Sequence, residues 1–322
     1  MNSSDRFIPN RLNKAFDQNQ KGIALVIVLW ILALLSILAL AYSGMTRTEG
    51  LLARNMVHTS QARALAESGF WTAVHDLIRP VPYRKFSVAG SPTTLYENEH
   101  NRVVIQIQDE SGKIDINKAS QRLLLGLFLT ASAEPDQANN LVDAILDWRD
   151  RDNLRKVNGA EDQDYAALGL PYGAKDGTFN SIEELLLIRG MTAEIFDKIK
   201  PSITVHSMQA RVRLNAAPKS VLWALPDMTE KIIDEILSIR SAQGPVIIPD
   251  ILPASASPMV FTSGQGNVYT ITCDARVGQS TSRLKVTLIL RKTGNRPITI
   301  LDWQEKTAPL IQEQTNSHDS GF

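Results

Sequence analysis

The stretch GIALVIVLWILALLSILALAY, residues 22–42, decides how the rest of this chain is organised. Its twenty residues from Ile23 to Tyr42 carry no charge and a single aliphatic hydroxyl, that of Ser36. In a helix, twenty residues rise roughly 30 Å, which is about the thickness of the hydrocarbon core of a bilayer. Length and composition therefore predict a transmembrane helix.

The charges that flank this stretch predict its orientation. The preceding segment carries four basic and two acidic residues: Arg6, Arg11, Lys14, Lys21, Asp5 and Asp17. The first charge after the stretch is Arg47. By the positive-inside rule, we expect the N-terminus in the cytoplasm and the chain after about residue 45 on the far side of the membrane.

The helical pattern continues beyond the length that a membrane requires. Between Met45 and Ile78 there is no proline, and an apolar stripe recurs at helical spacing: Ala66, Phe70, Val74 and Leu77. This predicts one helix of about 55 residues, roughly 80 Å long, of which half lies outside the membrane. A cleaved secretory signal has a shorter apolar core followed by a small-residue cleavage site, so this stretch does not fit that class. The plain alternative is an ordinary signal anchor.

A short basic leader (1–22), a Lys-Gly junction and a long helix that begins with apolar residues resemble the type IV prepilin signal of pilins and pseudopilins. The resemblance implies that prepilin peptidase cleaves between Gly22 and Ile23 and that the new N-terminus, Ile23, is methylated. Most of that family has Glu as the fifth mature residue, and here that residue is Ile27. A carboxylate within lipid needs a partner such as a neighbouring terminal amine, and this chain cannot form that pair. The pattern resembles the K-type minor pseudopilin of type II secretion, which sits at the pseudopilus tip.

Composition narrows the functional classes. The 322 residues have a formal net charge of zero, so charge gives no argument for nucleic acid or for an anionic membrane surface. The single cysteine, Cys273, excludes a disulfide within the chain and is predicted to be a small buried hydrophobe. No P-loop, dinucleotide fingerprint or histidine metal spacing occurs, so we predict no enzyme and no catalytic residues.

Strand patterns occur on both sides of a long helical region. Four segments are predicted as strands: Arg102–Asp109, Asn267–Ala275, Ser282–Lys292 and Pro297–Gln304. A hairpin turn is predicted at Gly278-Gln279-Ser280. We expect an α+β fold, in which an antiparallel sheet packs on the second half of the long helix, as in pseudopilins. The predicted divisions are a leader at 1–22, a helix at 23–79, a loop and first strand at 80–112, a helical insertion at 113–255, further strands at 256–305 and a disordered tail at 306–322.

The predicted insertion contains an internal repeat. Asp115–Ser120 with the apolar run that follows it resembles Arg213–Pro218, and Leu141–Arg149 resembles Ile232–Arg240. Asn117 and Asn215 occupy the same place and are predicted helix N-caps. The second copy resembles helix-hairpin-helix or SAM-like units, some of which bind DNA phosphates through a Gly-rich hairpin.

The hairpins predicted here are poor phosphate sites. Neither Gly190–Thr192 nor Pro226–Thr229 keeps both glycines of such a hairpin, and Asp227 would repel a phosphate. We therefore expect no nucleic acid partner. A membrane-anchored DNA receptor remains the alternative from a different functional class.

An acidic loop at 147–180 is the candidate metal site. Its carboxylates are Asp147, Asp150, Asp152, Glu161, Asp162, Asp164 and Asp176. Oxygen ligands on an irregular loop suit Ca²⁺, although the spacing is not that of an EF-hand and a solvated acidic loop is the plain alternative. The K-type family is known for calcium in this region. The predicted ligands are Asp150, Asp152 and Glu161, then Asp147 and Asp164, and the role of the ion would be structural.

The resemblance to the K-type family implies a minor pseudopilin at the tip of the type II secretion pseudopilus, which initiates assembly and helps to export folded proteins across the outer membrane. The resemblance implies a single-pass inner-membrane protein with a periplasmic C-terminal domain. Its expected partners are the I-type and J-type minor pseudopilins, the assembly platform and prepilin peptidase. A minor pilin of a type IV pilus is a further alternative, but it would not account for the helical insertion.

Overall fold

The computed structural model describes residues 17–80, 83–131, 134–241, 251–262, 264–291 and 297–309. Most of the predicted leader and residues 310–322 of the predicted tail lie outside these ranges. The chain divides into two compact units, Met1–His58 and Thr59–Phe322. Each unit is described by itself below.

Helix α1, Asp17–Ile78, supplies the whole of the described part of the first unit. The described side chains from Ile23 to Val57 are exposed, and the most apolar 18-residue window has a mean hydropathy of 3.1. The hydroxyl of Ser36 donates to the carbonyl of Leu32 at 2.8 Å, so this polar group is satisfied within the helix, as a lipid environment requires. The helix is long and apolar enough to cross a membrane.

The second unit is built on a five-stranded antiparallel sheet of order β1-β2-β7-β8-β9. Its strands are β1 (Ala89–Glu97), β2 (Asn101–Asp109), β7 (Val268–Val277), β8 (Ser280–Leu290) and β9 (Ile298–Pro309). One face of the last turns of α1 packs on this sheet through Ala66, Phe70, Ala73 and Leu77, all buried. A Cβ on Gly69 would lie 3.1 Å from Val103 Cγ1 and 3.5 Å from Cys273 Sγ, so the helix lies very close to the sheet there. Cys273 is fully buried, as predicted.

All four predicted strands are present, and Gly278 adopts a positive φ of 55° in the predicted hairpin turn between β7 and β8. The segment 80–112 was predicted as a loop and one strand, but it contains a further strand, β1, ahead of β2. Gly90 and Pro92 suggested a loop, but an edge strand tolerates proline and β1 pairs irregularly with β2. The predicted tail also begins too early, since β9 continues to Pro309 and pairs with Ser280.

The insertion between β2 and β7 is mainly helical. Its helices are α2 (Gln121–Thr130), α3 (Pro135–Arg149), α4 (Asp162–Ala167), α5 (Ala193–Ile199), α6 (Lys219–Ala224) and α7 (Glu230–Ser241). Two short parallel bridges join distant segments: β3 (Ile114–Asp115) with β4 (Ile203–Thr204), and β5 (Val212–Arg213) with β6 (Val260–Phe261). The helices share one apolar core, distinct from the core beneath the sheet.

Equivalent contacts support the internal repeat. Asn117 donates to the carbonyl of Phe179 at 3.0 Å, and Asn215 donates to the carbonyl of Thr262 at 3.3 Å. Asn117 is not an N-cap as predicted, because Ser120 caps α2 by accepting the Leu123 N–H. Both asparagines instead donate to a backbone carbonyl that is distant in sequence.

The arginines that end α3 and α7 repeat in the same way. Arg149 donates to the carbonyl of Ala119 at 2.8 Å, and Arg240 donates to the carbonyl of Ala217 at 2.7 Å. Ala119 and Ala217 occupy matching places in the two sequence copies. Duplicated contacts therefore accompany the duplicated sequence.

Substitution of Gly126 should destabilise the insertion. Helices α2 and α6 approach so closely that a Cβ on Gly126 would overlap the carbonyl oxygen of Ala224. We expect Gly126→Ala to lower the free energy of unfolding by about 1–3 kcal/mol, measured by thermal denaturation. Gly177→Ala is the matched control, because its Cβ would meet only the Lys175 carbonyl oxygen at 3.7 Å. An unchanged midpoint for Gly126→Ala would contradict this packing.

Candidate metal centre

The acidic loop is held against the insertion by aromatic rings. Trp148, near the end of α3, contacts Tyr165 edge-on at 5.7 Å between ring centroids and stacks on Phe179 at 6.2 Å. Tyr165 contacts Tyr172 at 5.7 Å. These rings come from α3, from α4 and from the segment after α4, so they bring distant parts of the acidic loop together around one apolar centre.

Carboxylates of α3 fix the backbone of the loop. The N–H of Lys156 donates to both carboxylate oxygens of Asp147, at 3.3 and 3.2 Å. The N–H of Asn158 donates to Asp143 at 3.1 Å. A Cβ on Gly159 would overlap the Asp147 carboxylate, so glycine is needed where the loop crosses α3. The carboxylates of Asp143 and Asp147 therefore hold the backbone of the loop in place.

Glu161 is the centre of the acidic cluster. Its side chain is buried, and neither carboxylate oxygen has a hydrogen-bond partner within the described residues. Burial, together with the negative charges of Asp147, Asp150, Asp176 and Asp162, raises the pKa of Glu161 to about 7. The Oδ1 atom of Asp150 is also buried and without a partner there. An unpaired buried carboxylate is costly, so this arrangement calls for a cation or a proton.

Lys156 balances part of this charge. Its Nζ lies 3.1 Å from Asp147 Oδ1 and 2.8 Å from Asp150 Oδ2. Burial alone would lower the pKa of Lys156, but its hydrogen bonds to these two carboxylates raise it above the usual range. Burial raises the pKa of Asp147, and the bonds from Lys156 oppose that shift. The Lys156 ammonium thus bonds to the carboxylates of Asp147 and Asp150 and makes no hydrogen bond to the third carboxylate, that of Glu161.

Two of the predicted ligands are engaged elsewhere. Asp164 accepts the N–H of Glu161 at 3.0 Å and pairs with Arg155 at 2.9 Å and Arg189 at 3.1 Å. The bond from the Glu161 N–H, with these arginines, lowers the pKa of Asp164. Asp152 lies in an exposed turn and accepts the N–H of Leu154 at 3.0 Å. The structure therefore brings Asp147, Asp150 and Glu161 together, without Asp152 and Asp164.

Asp162 and Asp176 contribute charge to the centre although the sequence argument ranked other residues above them. Asp162 lies so close to Gly173 that a Cβ on that glycine would overlap its carboxylate. Asp176 adopts a positive φ of 52° in the Lys-Asp-Gly turn. Its charge acts on Glu161, although the sequence analysis did not place Asp176 among the predicted ligands.

The residues fit a hard cation in their chemistry, although they are not arranged as ligands. Within the described ranges, no three His, Cys, Asp or Glu side chains form a ready set of metal ligands. The Lys156 ammonium contacts the two carboxylates that a cation would share. The bare oxygens of Glu161 and Asp150 Oδ1 are nevertheless the hard donors that Ca²⁺ prefers.

Comparisons with known proteins agree with this architecture. Residues 101–208 match the model of the family described as type II secretion system (T2SS), protein K. Type II secretion system protein K of Pectobacterium carotovorum is 28% identical over 213 residues, which cover 59% of this chain and 64% of that protein. The Pseudomonas aeruginosa protein of the same name is 25% identical over 251 residues, covering 70% and 74% of the two chains.

The fold also resembles a solved structure. A chain of the GspK-GspI-GspJ complex from enterotoxigenic Escherichia coli superposes with a TM-score of 0.51 at 15% identity. The match covers 81% of this chain and 99% of that one. The long helix, the antiparallel sheet and the helical insertion occur in the expected order, and residues 101–208 of this chain are similar to the type II secretion system protein K family.

Proposed function

We propose that this chain is a minor pseudopilin that works at the tip of the type II secretion pseudopilus, where it starts assembly and helps to export folded proteins. The observation that supports this most strongly is the order of elements. A helix able to cross a membrane continues into the core of a small sheet, and a helical insertion separates β2 from β7. A filament built from heterologous contacts needs a distinct end subunit, and a bulky insertion suits that place.

The proposed topology is single-pass in the inner membrane, with the N-terminus in the cytoplasm and the second unit in the periplasm. The basic leader and the uncharged span support it. The proposed partners are other minor pseudopilins of the I and J types and the assembly platform, bound through the half of α1 from Arg47 to Ile78. The E. coli chain of similar fold comes from a complex with two other proteins, which agrees with such partners. Ile27, in place of the usual Glu, suits a subunit that has no neighbour above it.

For the insertion, we propose two degenerate helix-hairpin-helix units with a structural task. The hairpin residues Gly190 and Asp227 both adopt positive φ, of 84° and 58°, which supports equivalent turns. The acidic side chain of Asp227 disfavours a phosphate at the second turn. Salt-sensitive DNA binding by the full chain would instead favour the DNA receptor.

We also propose that the acidic loop binds a structural Ca²⁺ ion through Glu161, Asp150 and Asp147. The partnerless oxygens of Glu161 and Asp150 support this assignment. Bound calcium would supply the positive charge that Lys156 provides only in part, and it would hold the loop in place. Asp162 and Asp176 are close enough to contribute charge. For Asp152 and Asp164 the ligand assignment stays a prediction.

Processing is tested by the intact mass of the membrane-extracted protein, expressed with and without prepilin peptidase. We expect a chain that begins at methylated Ile23 only when the peptidase is present. Gly22→Val should block the cut, whereas Gly44→Val, within α1, should not. An uncut chain beginning at Met1 in both strains would reduce residues 1–42 to a plain signal anchor.

Calcium removal should destabilise the protein. Saturating Ca²⁺ contributes about 3 kcal/mol at a hundredfold excess over Kd, so we expect chelator to lower the thermal midpoint of the full chain by roughly 5–10 °C. Glu161→Gln should abolish this difference. Glu183→Gln, which alters an exposed carboxylate 3.5 Å from Lys200, should keep it. Equal midpoints with and without chelator, and no calcium by elemental analysis, would refute the site.

Stability in chelator should fall as the pH rises from about 4.5 to about 7. The pKa of Glu161 is 4.5 in the unfolded chain and about 7 in the fold, so the native state holds a proton that the unfolded state has released in this window. The loss amounts to about 3 kcal/mol at most. Thermal midpoints at pH 5.5 and 7.5 should therefore differ less in Glu161→Gln than in the unmodified protein. An equal difference in the two proteins would contradict the raised pKa.

A further inference from the structure

We propose that Asp109 and Arg213 form a buried joint that fixes the orientation of the inserted helical domain relative to the five-stranded sheet. The insertion is tied to the sheet at two chain crossings, one after β2 and one before β7. Both crossings and one of the two repeats meet at the Asp109 carboxylate. This inference goes beyond the proposed function, since it concerns how the insertion is held.

Asp109 bonds to both crossings. On the outgoing crossing, its Oδ1 accepts the N–H of Ser111 at 2.9 Å and the Ser111 hydroxyl at 2.5 Å. On the returning crossing, its Oδ2 accepts the N–H of Gly266 at 3.0 Å. One side chain therefore links segments that are 157 residues apart in sequence.

Arg213 connects this centre to the second repeat. It lies in β5, and its Nε donates to the Ser111 hydroxyl at 2.7 Å and lies 3.5 Å from Asp109 Oδ2. Its guanidinium also covers the ring of Phe261, in the paired strand β6, at 4.8 Å. The side chains of Arg213 and Asp109 are only 8% and 2% exposed, so the charges are withdrawn from water.

Close backbone approaches surround the pair. Gln108 donates to the carbonyl of Ala216 at 2.9 Å, and a Cβ on Gly112 would overlap that same carbonyl. A Cβ on Gly266 would overlap the Asp109 carboxylate. Each crossing therefore depends on a glycine that lets another group reach its backbone.

Glu110 adds a second tie at the same place. Its carboxylate pairs with Lys113 at 2.9 Å. Burial opposes ionisation of this carboxylate, but Lys113 and the hydroxyls of Thr204 in the insertion and Thr270 in the sheet lower its pKa. Polar contacts between domains usually permit relative motion, whereas a buried charge pair tolerates few geometries. Because these groups lie between the two apolar cores, their loss should free the angle between the domains before it unfolds either one.

The test measures distances between spin labels in the full chain. Labels at Thr94→Cys in β1 and Glu235→Cys in α7 report on the sheet and the insertion, and Cys273 is too buried to react. We expect one narrow distance distribution, which becomes roughly twice as wide in Asp109→Asn and in Arg213→Met. Asp274→Asn and Arg283→Met are matched controls, since they break an exposed Arg–Asp pair within the same sheet and should leave the width unchanged.

Unchanged widths in both joint variants, with far-UV circular dichroism showing both domains folded, would overturn the proposal. If the variants do not fold, hydrogen exchange of the unmodified chain decides. The Gly266 N–H should exchange as slowly as the amides of β7 if the joint is closed. Exchange at the rate of an open loop would overturn the inference.

Discussion

The second unit depends on the packing of one face of α1 against the sheet. Ala66, Phe70, Ala73 and Leu77 recur at helical spacing and meet apolar side chains of β2, β7 and β8. The sheet has no other helix on that face in the described core, so the strands would expose it to water without α1. Gly69 sets how closely the helix and sheet approach. The same helix carries in its first half the apolar stretch that is long enough to cross a membrane.

Local sequence patterns predicted those parts of the structure in which apolar residues recur at a helical or a strand spacing. The uncharged span, the helical stripe and four alternating strands are of this kind, and all were found. β1 was missed because Gly90 and Pro92 are turn residues that an edge strand tolerates. The role of Asn117 was also mistaken, because its partner is the backbone of Phe179, which is 62 residues away. Such contacts depend on the tertiary fold and leave no local mark.

The candidate metal site was likewise predictable from the sequence only in part. The sequence indicated an acidic loop and named Asp147, Asp150 and Glu161, which the structure brings together. It could not tell that Asp164 would be occupied by Arg155 and Arg189, since arginine partners follow from folding. It also could not identify Glu161 as the carboxylate without a partner. That distinction depends on burial and on the position of Lys156, and only coordinates reveal either.

The repeat shows which contacts of the insertion do not require the acidic residues. Both copies have an arginine near the end of their second matching segment, Arg149 and Arg240. The second copy, however, has Ser238 and Ser241 where the first copy has Asp147 and Asp150. The shared contacts maintain the architecture in each copy without any carboxylate. The acidic pair therefore belongs to the first copy alone, whereas Asp234 in the second copy matches Asp143 in the first. A scaffold held by contacts to backbone carbonyls can therefore carry these charges in one half and omit them in the other.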